Sequence, residues 1–129
     1  MVVSMSPLET VNIFMRSVES KDIDGAVALL AEDVSYENMP IDPIVGREAV
    51  RQVLEGFLKP AMHVEWRVLS EWEVGSTVIN ERVDRFEIGD GWLELPVAGF
   101  FEVKDGLITL WRDYFDMGSY MSQLSSLTS

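Results

Sequence analysis

Cysteine is absent from the sequence, which excludes disulfides, thiolate nucleophiles and thiolate metal ligands. Histidine occurs once, at His63, so the histidine clusters that bind zinc or iron are excluded as well. We assign His63 neither a metal nor a catalytic role, because no second ligand accompanies it. The chemistry that these absences favour uses no metal and no cofactor.

Positive charge is also scarce: ten Lys and Arg residues stand against 22 Asp and Glu residues, and the formal net charge is −12 at pH 7. Phosphate binding depends on clustered Lys and Arg, so a nucleic-acid partner is not expected. No apolar run approaches the roughly eighteen residues of a membrane helix, and residues 1–20 lack the pattern of a signal peptide. We therefore expect a cytoplasmic protein with no membrane partner, whose acidic residues mostly form a solvated surface.

Large apolar side chains, by contrast, are plentiful. The chain has 129 residues, of which 47% are hydrophobic, including four Trp, six Phe and seven Met. That length is enough for one core but not for two, and side chains of such irregular shape can line a wide cavity. We expect one domain over residues 1–129, with residues 1–5 and about 122–129 flexible, the latter because the tail is rich in serine.

Helical patterns occupy the first half of the chain. The segment Ser6-Pro7-Leu8-Glu9 combines an N-cap, a proline at the first helical position and a capping-box glutamate. Apolar residues at helical spacing follow, which predicts a first helix over residues 7–20. Two further helices are predicted over residues 23–30 and 46–58, the last of them ended by Lys59-Pro60.

Strand patterns dominate the second half. A short strand is predicted earlier, over residues 34–38, and residues 39–45 are predicted as a loop because they contain two prolines. Four longer strand-like runs, separated by turns that contain glycine, cover residues 62–74, 77–88, 92–103 and 107–117. Helices followed by an antiparallel meander indicate an α+β protein. This order resembles the cone-shaped fold of nuclear transport factor 2 and of the SnoaL-like superfamily. In that fold, three to four N-terminal helices pack against a curved mixed or antiparallel sheet around a deep apolar pocket.

Polar side chains occur inside these strands, where they are poorly placed unless they have a function. Because alternate residues of a strand share a face, Arg82 and Asp84 point the same way. The same rule places Asp113 between two aromatic residues of the last strand and groups Tyr36 with Asn38 in the first. The alternation shows shared faces but not whether the three strands meet. If they meet, five polar groups converge in one apolar pocket.

Four motifs in this order resemble the limonene-1,2-epoxide hydrolases over nearly the whole chain. They are Tyr36-Glu37-Asn38-Met39-Pro40, Gly46-Arg47, Glu81-Arg82-Val83-Asp84 and Trp111-Arg112-Asp113-Tyr114-Phe115-Asp116. The resemblance implies a homodimeric hydrolase that uses neither metal nor cofactor. It also implies roles for the five polar residues. Asp113 is the water-activating base, Asp84 is the proton-donating acid, and Arg82 bridges the two carboxylates. Tyr36 and Asn38 help to hold the attacking water.

These residue types suit the opening of an epoxide on chemical grounds. Water must attack carbon from the side opposite the departing oxygen, which takes up a proton as its bond breaks. A water-excluded site with two carboxylates and one guanidinium carries one net negative charge, so desolvation favours the uptake of a proton by the pair. One acid can then donate a proton while the other accepts one, in a single step without a covalent intermediate. We predict the addition of water to a small lipophilic epoxide, such as limonene-1,2-epoxide or another cyclic or terpene oxide, to give a vicinal diol.

Several large apolar residues are candidates for the substrate-binding wall, and their size favours a hydrophobic substrate. They are Met15, Phe57, Phe86, Leu95, Val97 and Phe115. Arg112 and Asp116 take the opposite strand face and are predicted to be surface or interface groups. Trp66 and Trp72 are expected on an outer face of the sheet that would suit the homodimer.

Two other functions are also compatible with the pattern. An isomerase or cyclase of the same fold would use a single carboxylate as its base and would have little use for the second acid. A non-catalytic carrier of apolar metabolites would need the apolar walls but neither acid.

Overall fold

The computed structural model describes residues 5–39 and 41–128, which form four α-helices and six β-strands. The helices are α1 (Pro7–Glu19), α2 (Ile23–Val27), α3 (Arg47–Leu58) and α4 (Met117–Thr128). The strands are β1 (Leu30–Met39), β2 (Ile44–Val45), β3 (His63–Val74), β4 (Thr77–Ile88), β5 (Gly91–Lys104) and β6 (Leu107–Tyr114). The predictions for residues 1–4, Pro40 and Ser129 lie outside the described residues. None of the described helices is both long enough and apolar enough to cross a membrane.

Helix α1 begins as its sequence predicts. Ser6 Oγ accepts a hydrogen bond from the backbone N–H of Glu9 at 3.1 Å, and Glu9 Oε1 accepts one from the backbone N–H of Ser6 at 3.0 Å. These two bonds complete the capping box. One face of the helix is buried against the sheet, and it consists of Thr10, Val11, Phe14, Met15 and Val18.

The strands form one mixed sheet in the order β2-β1-β6-β5-β4-β3. Strands β3 to β6 pair antiparallel in sequence, which confirms the predicted meander. Strand β1 instead pairs parallel with β6, with Tyr36 opposite Trp111 and Asn38 opposite Asp113. Only β5 separates β6 from β4, so the three strands that carry the predicted polar residues lie close together in the middle of the sheet.

Two boundaries differ from the sequence prediction because of strand pairing. Helix α2 ends at Val27 and β1 already begins at Leu30, since Leu30 pairs with Ile108 of β6. The predicted loop over residues 39–45 contains the short strand β2, whose two residues pair antiparallel with β1. In both places a pairing partner overrides the local pattern.

The fourth helix lies at the C-terminal end, whereas the sequence predicted all helices to be N-terminal. Strand β6 ends at Tyr114 instead of continuing to Met117, and Asp116 then caps α4 by accepting a hydrogen bond from the backbone N–H of Ser119 at 3.1 Å. None of the described residues of α4 is fully buried. The helix buries no continuous apolar face, and its serine-rich sequence accordingly has no strong apolar stripe. For this reason no helix was predicted there. The flexibility of residues 122–128 stays a prediction.

The expectation that Trp66 lies on an outer face of the sheet is wrong. Trp66 is 5% exposed and faces the core opposite Asp84, whereas Trp72 is 51% exposed. The two residues are an even number of positions apart and would share a face in a regular strand. However, β3 has one extra residue between Val68 and Ser70 relative to its partner β4. This bulge reverses the faces of the strand.

Candidate active site

A cavity of about 460 Å³ lies between the sheet and helices α3 and α4. Most of its lining is apolar, and four of the predicted polar residues line it, namely Tyr36, Asn38, Asp84 and Asp113. Strand pairing accounts for their convergence, because β1 and β6 are neighbours and β4 follows across β5. A mainly apolar cavity with a few grouped polar side chains is typical of a small-molecule site.

Arg82 joins the two acidic residues. Its Nε donates a hydrogen bond to Asp84 Oδ1 at 2.7 Å, and its Nη2 donates to Asp84 Oδ2 at 3.2 Å and to Asp113 Oδ2 at 2.8 Å. The Arg82 side chain is fully buried, and the side chains of Asp84 and Asp113 are 7% and 6% exposed. The Trp66 ring covers the guanidinium, with 5.0 Å between Arg82 Cζ and the ring centroid. The structure therefore brings together three groups that the sequence could only assign to separate strands.

Gly99 makes room for this arrangement, and the sequence analysis missed it. It lies on β5, opposite Asn80 of β4 and Asp113 of β6. A Cβ atom at this position would lie 2.2 Å from Arg82 Nη1 and 3.1 Å from Asp113 Oδ1. Only glycine lets the Arg82 side chain cross β5 to reach the next strand. A glycine in the interior of a strand is the signal that could have indicated a close approach.

The two acids differ in their hydrogen bonds. Asp84 accepts from Arg82 through both of its oxygens, whereas Asp113 accepts through Oδ2 alone. Asp113 Oδ1 is buried and accepts no hydrogen bond from the described residues. Trp111 lies close enough to lower the pKa of Asp113, but Oδ1 remains available to take a proton from another molecule.

Burial and the charges within the cluster shift the pKa values of all three groups. Burial raises the pKa of Asp84 to about 6, in opposition to the attraction of Arg82. The pKa of Asp113 is raised by burial as well, again against the effect of Arg82. Burial alone would lower the pKa of Arg82, but the two carboxylates outweigh it and raise that pKa, so the guanidinium stays charged. Two dry acids beside one permanent cation favour the uptake of a single proton by the pair.

Tyr36 and Asn38 line the cavity beside the acids. The Tyr36 ring stacks on Trp111, with 3.8 Å between the ring centroids and an interplanar angle of 16°. Burial and the charge of Asp113 raise the pKa of the Tyr36 hydroxyl, so this group stays protonated and can donate a hydrogen bond. Asn38 lies opposite Asp113 in the parallel register. A hydroxyl and an amide in these positions can hold a water molecule next to the carboxylate.

Five of the six predicted wall residues line the cavity: Phe57, Phe86, Leu95, Val97 and Phe115. Met15 does not, and its assignment to the wall is corrected. It belongs to the buried face of α1, and its Sδ accepts a hydrogen bond from Asn80 Nδ2 at 3.2 Å. The sequence analysis missed other lining residues. Among them are Trp66, which faces inward because of the β3 bulge, and Met117, Tyr120 and Leu124 of α4.

Other charged residues of the motifs have structural partners outside the cavity. Arg112 Nε donates to Glu37 Oε1 at 2.8 Å, and Asp116 caps α4. His63 Nδ1 lies 2.6 Å from Glu87 Oε1 at an exposed position. No group of three or more His, Cys, Asp or Glu residues in the described part of the chain could hold a metal ion.

Known proteins resemble this chain along most of its length. Residues 5–126 match the family model of the limonene-1,2-epoxide hydrolase catalytic domain. Epoxide hydrolase EphG from Mycobacterium tuberculosis (strain ATCC 25618 / H37Rv) is 35% identical over 107 residues, which cover 83% of this chain and 71% of that protein. 

Solved structures agree with this likeness. An LEH-like epoxide hydrolase from M. tuberculosis superimposes with a TM-score of 0.82 at 31% identity, over 94% of this chain and 90% of that chain. An NTF2-like protein of unknown function from Cytophaga hutchinsonii ATCC 33406 superimposes with a TM-score of 0.75 at 20% identity, over 90% of this chain and 95% of that chain. The second likeness concerns the fold alone, and it confirms the predicted fold class.

Proposed function

The chain belongs to the limonene-1,2-epoxide hydrolase family, and we propose that it adds water to a small lipophilic epoxide and releases a vicinal diol. The observation that carries this proposal is the buried cluster of Asp84, Arg82 and Asp113 at the apolar cavity. A single-base isomerase or a carrier of the same fold has no evident use for two acids joined by one guanidinium. The cluster thus favours hydrolysis over both alternatives.

In the proposed mechanism, Asp113 is the general base. Tyr36 and Asn38 hold a water molecule, and Asp113 Oδ1 accepts one of its protons. The water oxygen forms a bond to an epoxide carbon on the side opposite the ring oxygen, and the bond from that carbon to the ring oxygen breaks. A proton transfer of this kind typically accelerates a reaction by a factor of about 10²–10⁴. The reaction takes one step and forms no covalent enzyme intermediate.

Asp84 is the general acid and gives its proton to the departing oxygen. An Asp84 oxygen that carries a proton accepts a weaker hydrogen bond from Arg82 than an oxygen of the ionised carboxylate does. The guanidinium then stabilises the charge on Asp113. After the reaction the proton gained by Asp113 returns to Asp84, and the pair is restored.

The cavity supports a substrate of the cyclic or terpene oxide type. Its volume of about 460 Å³ and its aromatic and aliphatic lining suit a compact hydrocarbon skeleton that carries a single polar oxygen. We also propose a homodimer. Strand β3 is an edge of the sheet and exposes several apolar residues, and such an edge supports association with a second chain. These residues are Val68, Leu69, Trp72 and Val74.

The direct test is incubation of the purified protein with limonene oxide, cyclohexene oxide and styrene oxide in ¹⁸O-labelled water. The expected product is a diol that carries one labelled oxygen. Binding of these epoxides without any diol would support the carrier, and a product without added water would support the isomerase. The Asp84→Asn variant separates the mechanisms further, because epoxide hydrolysis should be lost whereas enolisation by a single base should persist.

A further inference from the structure

Asn80 is a buried polar residue that has no part in the mechanism above. It precedes Arg82 by two positions in β4 and therefore shares its face. The residue is 1% exposed and does not line the cavity, so it does not contact substrate. Its Oδ1 accepts a hydrogen bond from Arg82 Nη1 at 2.9 Å, and its Nδ2 donates one to Met15 Sδ at 3.2 Å.

These contacts determine how Arg82 is shared between the acids. Arg82 pairs with Asp84 through two hydrogen bonds, one from Nε and one from Nη2. Asn80 engages the remaining nitrogen, Nη1, and so holds the guanidinium in the orientation in which Nη2 also donates to Asp113. Arg82 can only donate, so the amide oxygen of Asn80 must face the guanidinium.

The amide also keeps the charge of the cluster low. Among the described residues, Arg82 of β4 lowers the pKa of both acids, Trp111 of β6 lowers that of Asp113, and Glu19 of α1 raises that of Asp84. The Tyr36 hydroxyl of β1 is uncharged, and its own pKa is raised by burial and by both acids. Position 99 of β5 is a glycine and adds no charge. A carboxylate at position 80 would compete for Arg82 and would add a second net negative charge in a buried site.

We propose that Asn80 is a positioning residue that holds the Arg82 guanidinium across both carboxylates and, because it is uncharged, limits the cluster to one shared proton. The expected effect of Asn80 on catalysis rests on the proposed function. The structural part of the inference, the protonation of the acid pair, is independent of turnover.

The first test compares the pH dependence of kcat/KM in Asn80→Asp with that in Asn12→Asp, which makes the same charge change on α1. A nearby negative charge favours protonation of both acids. We expect both limbs of the Asn80→Asp profile to move to higher pH by about one unit, so that the rate on the low-pH limb falls by up to about tenfold. The control should keep the parental profile. Unshifted limbs in Asn80→Asp would overturn the proposal.

The second test measures the acid pair directly, by NMR titration of protein labelled with ¹³C at the aspartate carboxyl groups. The midpoints for Asp84 and Asp113 should move to higher pH in Asn80→Asp. Unchanged midpoints would overturn the inference even if an epoxide is hydrolysed. Shifted midpoints in a protein that hydrolyses no epoxide would contradict the proposed function and leave the inference standing.

A third variant applies if the additional buried carboxylate prevents folding. Asn80→Ala removes the acceptor for Nη1 without adding charge, and misplacement of Arg82 should lower kcat by about 10–100-fold while KM changes little. Parental kcat in this variant would contradict a positioning role.

Discussion

Two parts of the cavity lining are held in place in different ways. One is the polar cluster, on strands in the middle of the sheet, where every charged group is buried and hydrogen-bonded; its members are Tyr36, Asn38, Arg82, Asp84 and Asp113. The other is α4, which contributes three lining residues but none that is fully buried. The first part belongs to the core, whereas the second lies on the surface of the sheet.

Gln123 of α4 makes two hydrogen bonds to the part of β5 that has no neighbouring strand on its β6 side. Gln123 Oε1 accepts a hydrogen bond from the backbone N–H of Glu94 at 2.8 Å, and Gln123 Nε2 donates to the Glu94 carbonyl at 2.9 Å. Strand β5 pairs with β6 only from Ala98 onward, so Gln123 takes the place of a neighbouring strand at Glu94. We therefore expect substitutions in the sheet to change the chemistry and substitutions in α4 to change the shape of the cavity.

The largest effect is expected for Asp113→Asn on the polar side. The amide cannot accept a proton from water, so kcat/KM should fall by about 10²–10⁴-fold. The matched control is Asp116→Asn in the same motif, whose side chain caps α4 outside the cavity. Binding of a neutral fluorescent apolar probe should persist in both variants. Equal turnover of Asp113→Asn and the control would remove Asp113 from the mechanism.

Gly99→Ala tests the packing that supports the polar cluster. The added methyl group would meet Arg82 Nη1 and Asn80 Oδ1, so the guanidinium must move. We expect kcat/KM to fall by about 10²-fold and the free energy of unfolding, measured in urea, to fall by about 1–3 kcal/mol. Gly118→Ala on α4 is the control, because the nearest atom to its new Cβ lies 3.8 Å away. Parental activity in Gly99→Ala would mean that Arg82 need not cross β5.

The pH dependence of kcat/KM tests the ionisation of the polar cluster. Burial raises the pKa of both acids, that of Asp84 to about 6, and because the two interact closely they bind and release protons as a pair. A general acid must carry its proton, so the rate should fall by up to about tenfold per unit as the pH rises beyond the apparent pKa of the pair. The rate should fall at low pH as well, when Asp113 takes up a proton. A flat profile from about pH 5 to 9 would contradict a shared proton.

The stability of the fold should show the same titration. The folded-state pKa of Asp84 lies above its value in the unfolded chain, so the folded state binds the proton more strongly. Its contribution to the free energy of unfolding is present at low pH and is lost as the pH rises through about 6. The free energy of unfolding of the parent should therefore decrease, relative to that of Asp84→Asn, as the pH rises from about 4 to about 6.

The smallest effect is expected for Gln123→Ala on the α4 side. Loss of two hydrogen bonds of about 0.5–1.5 kcal/mol each should loosen α4 and raise KM for limonene oxide by about 3–10-fold. The value of kcat should change little, because the polar cluster is untouched. Gln52→Ala, at an exposed position of α3, is the control. A drop in kcat in Gln123→Ala without a change in KM would show that the two parts of the lining are not independent.

The sequence predicted much of the polar cluster on the sheet but nothing of α4. Strand alternation placed Arg82 with Asp84 and Asp113 between aromatic residues, because a period of two is a strong local signal. It could not show that β1 pairs with β6, that a bulge turns Trp66 inward, or that Gly99 provides the crossing for Arg82. These features depend on pairing between strands that are distant in the chain. Helix α4 was missed for the opposite reason, because its few apolar contacts leave almost no pattern in the sequence.

Single-turnover hydrolysis in ¹⁸O-labelled water, with enzyme in excess over epoxide, tests the central claim most directly. If Asp113 activates water, the diol formed in the first turnover carries one labelled oxygen, and the carboxyl groups of Asp84 and Asp113 stay unlabelled. An unlabelled diol in the first turnover, with the label then found in an aspartate, would show that a carboxylate attacks the epoxide and would contradict the shared-proton mechanism.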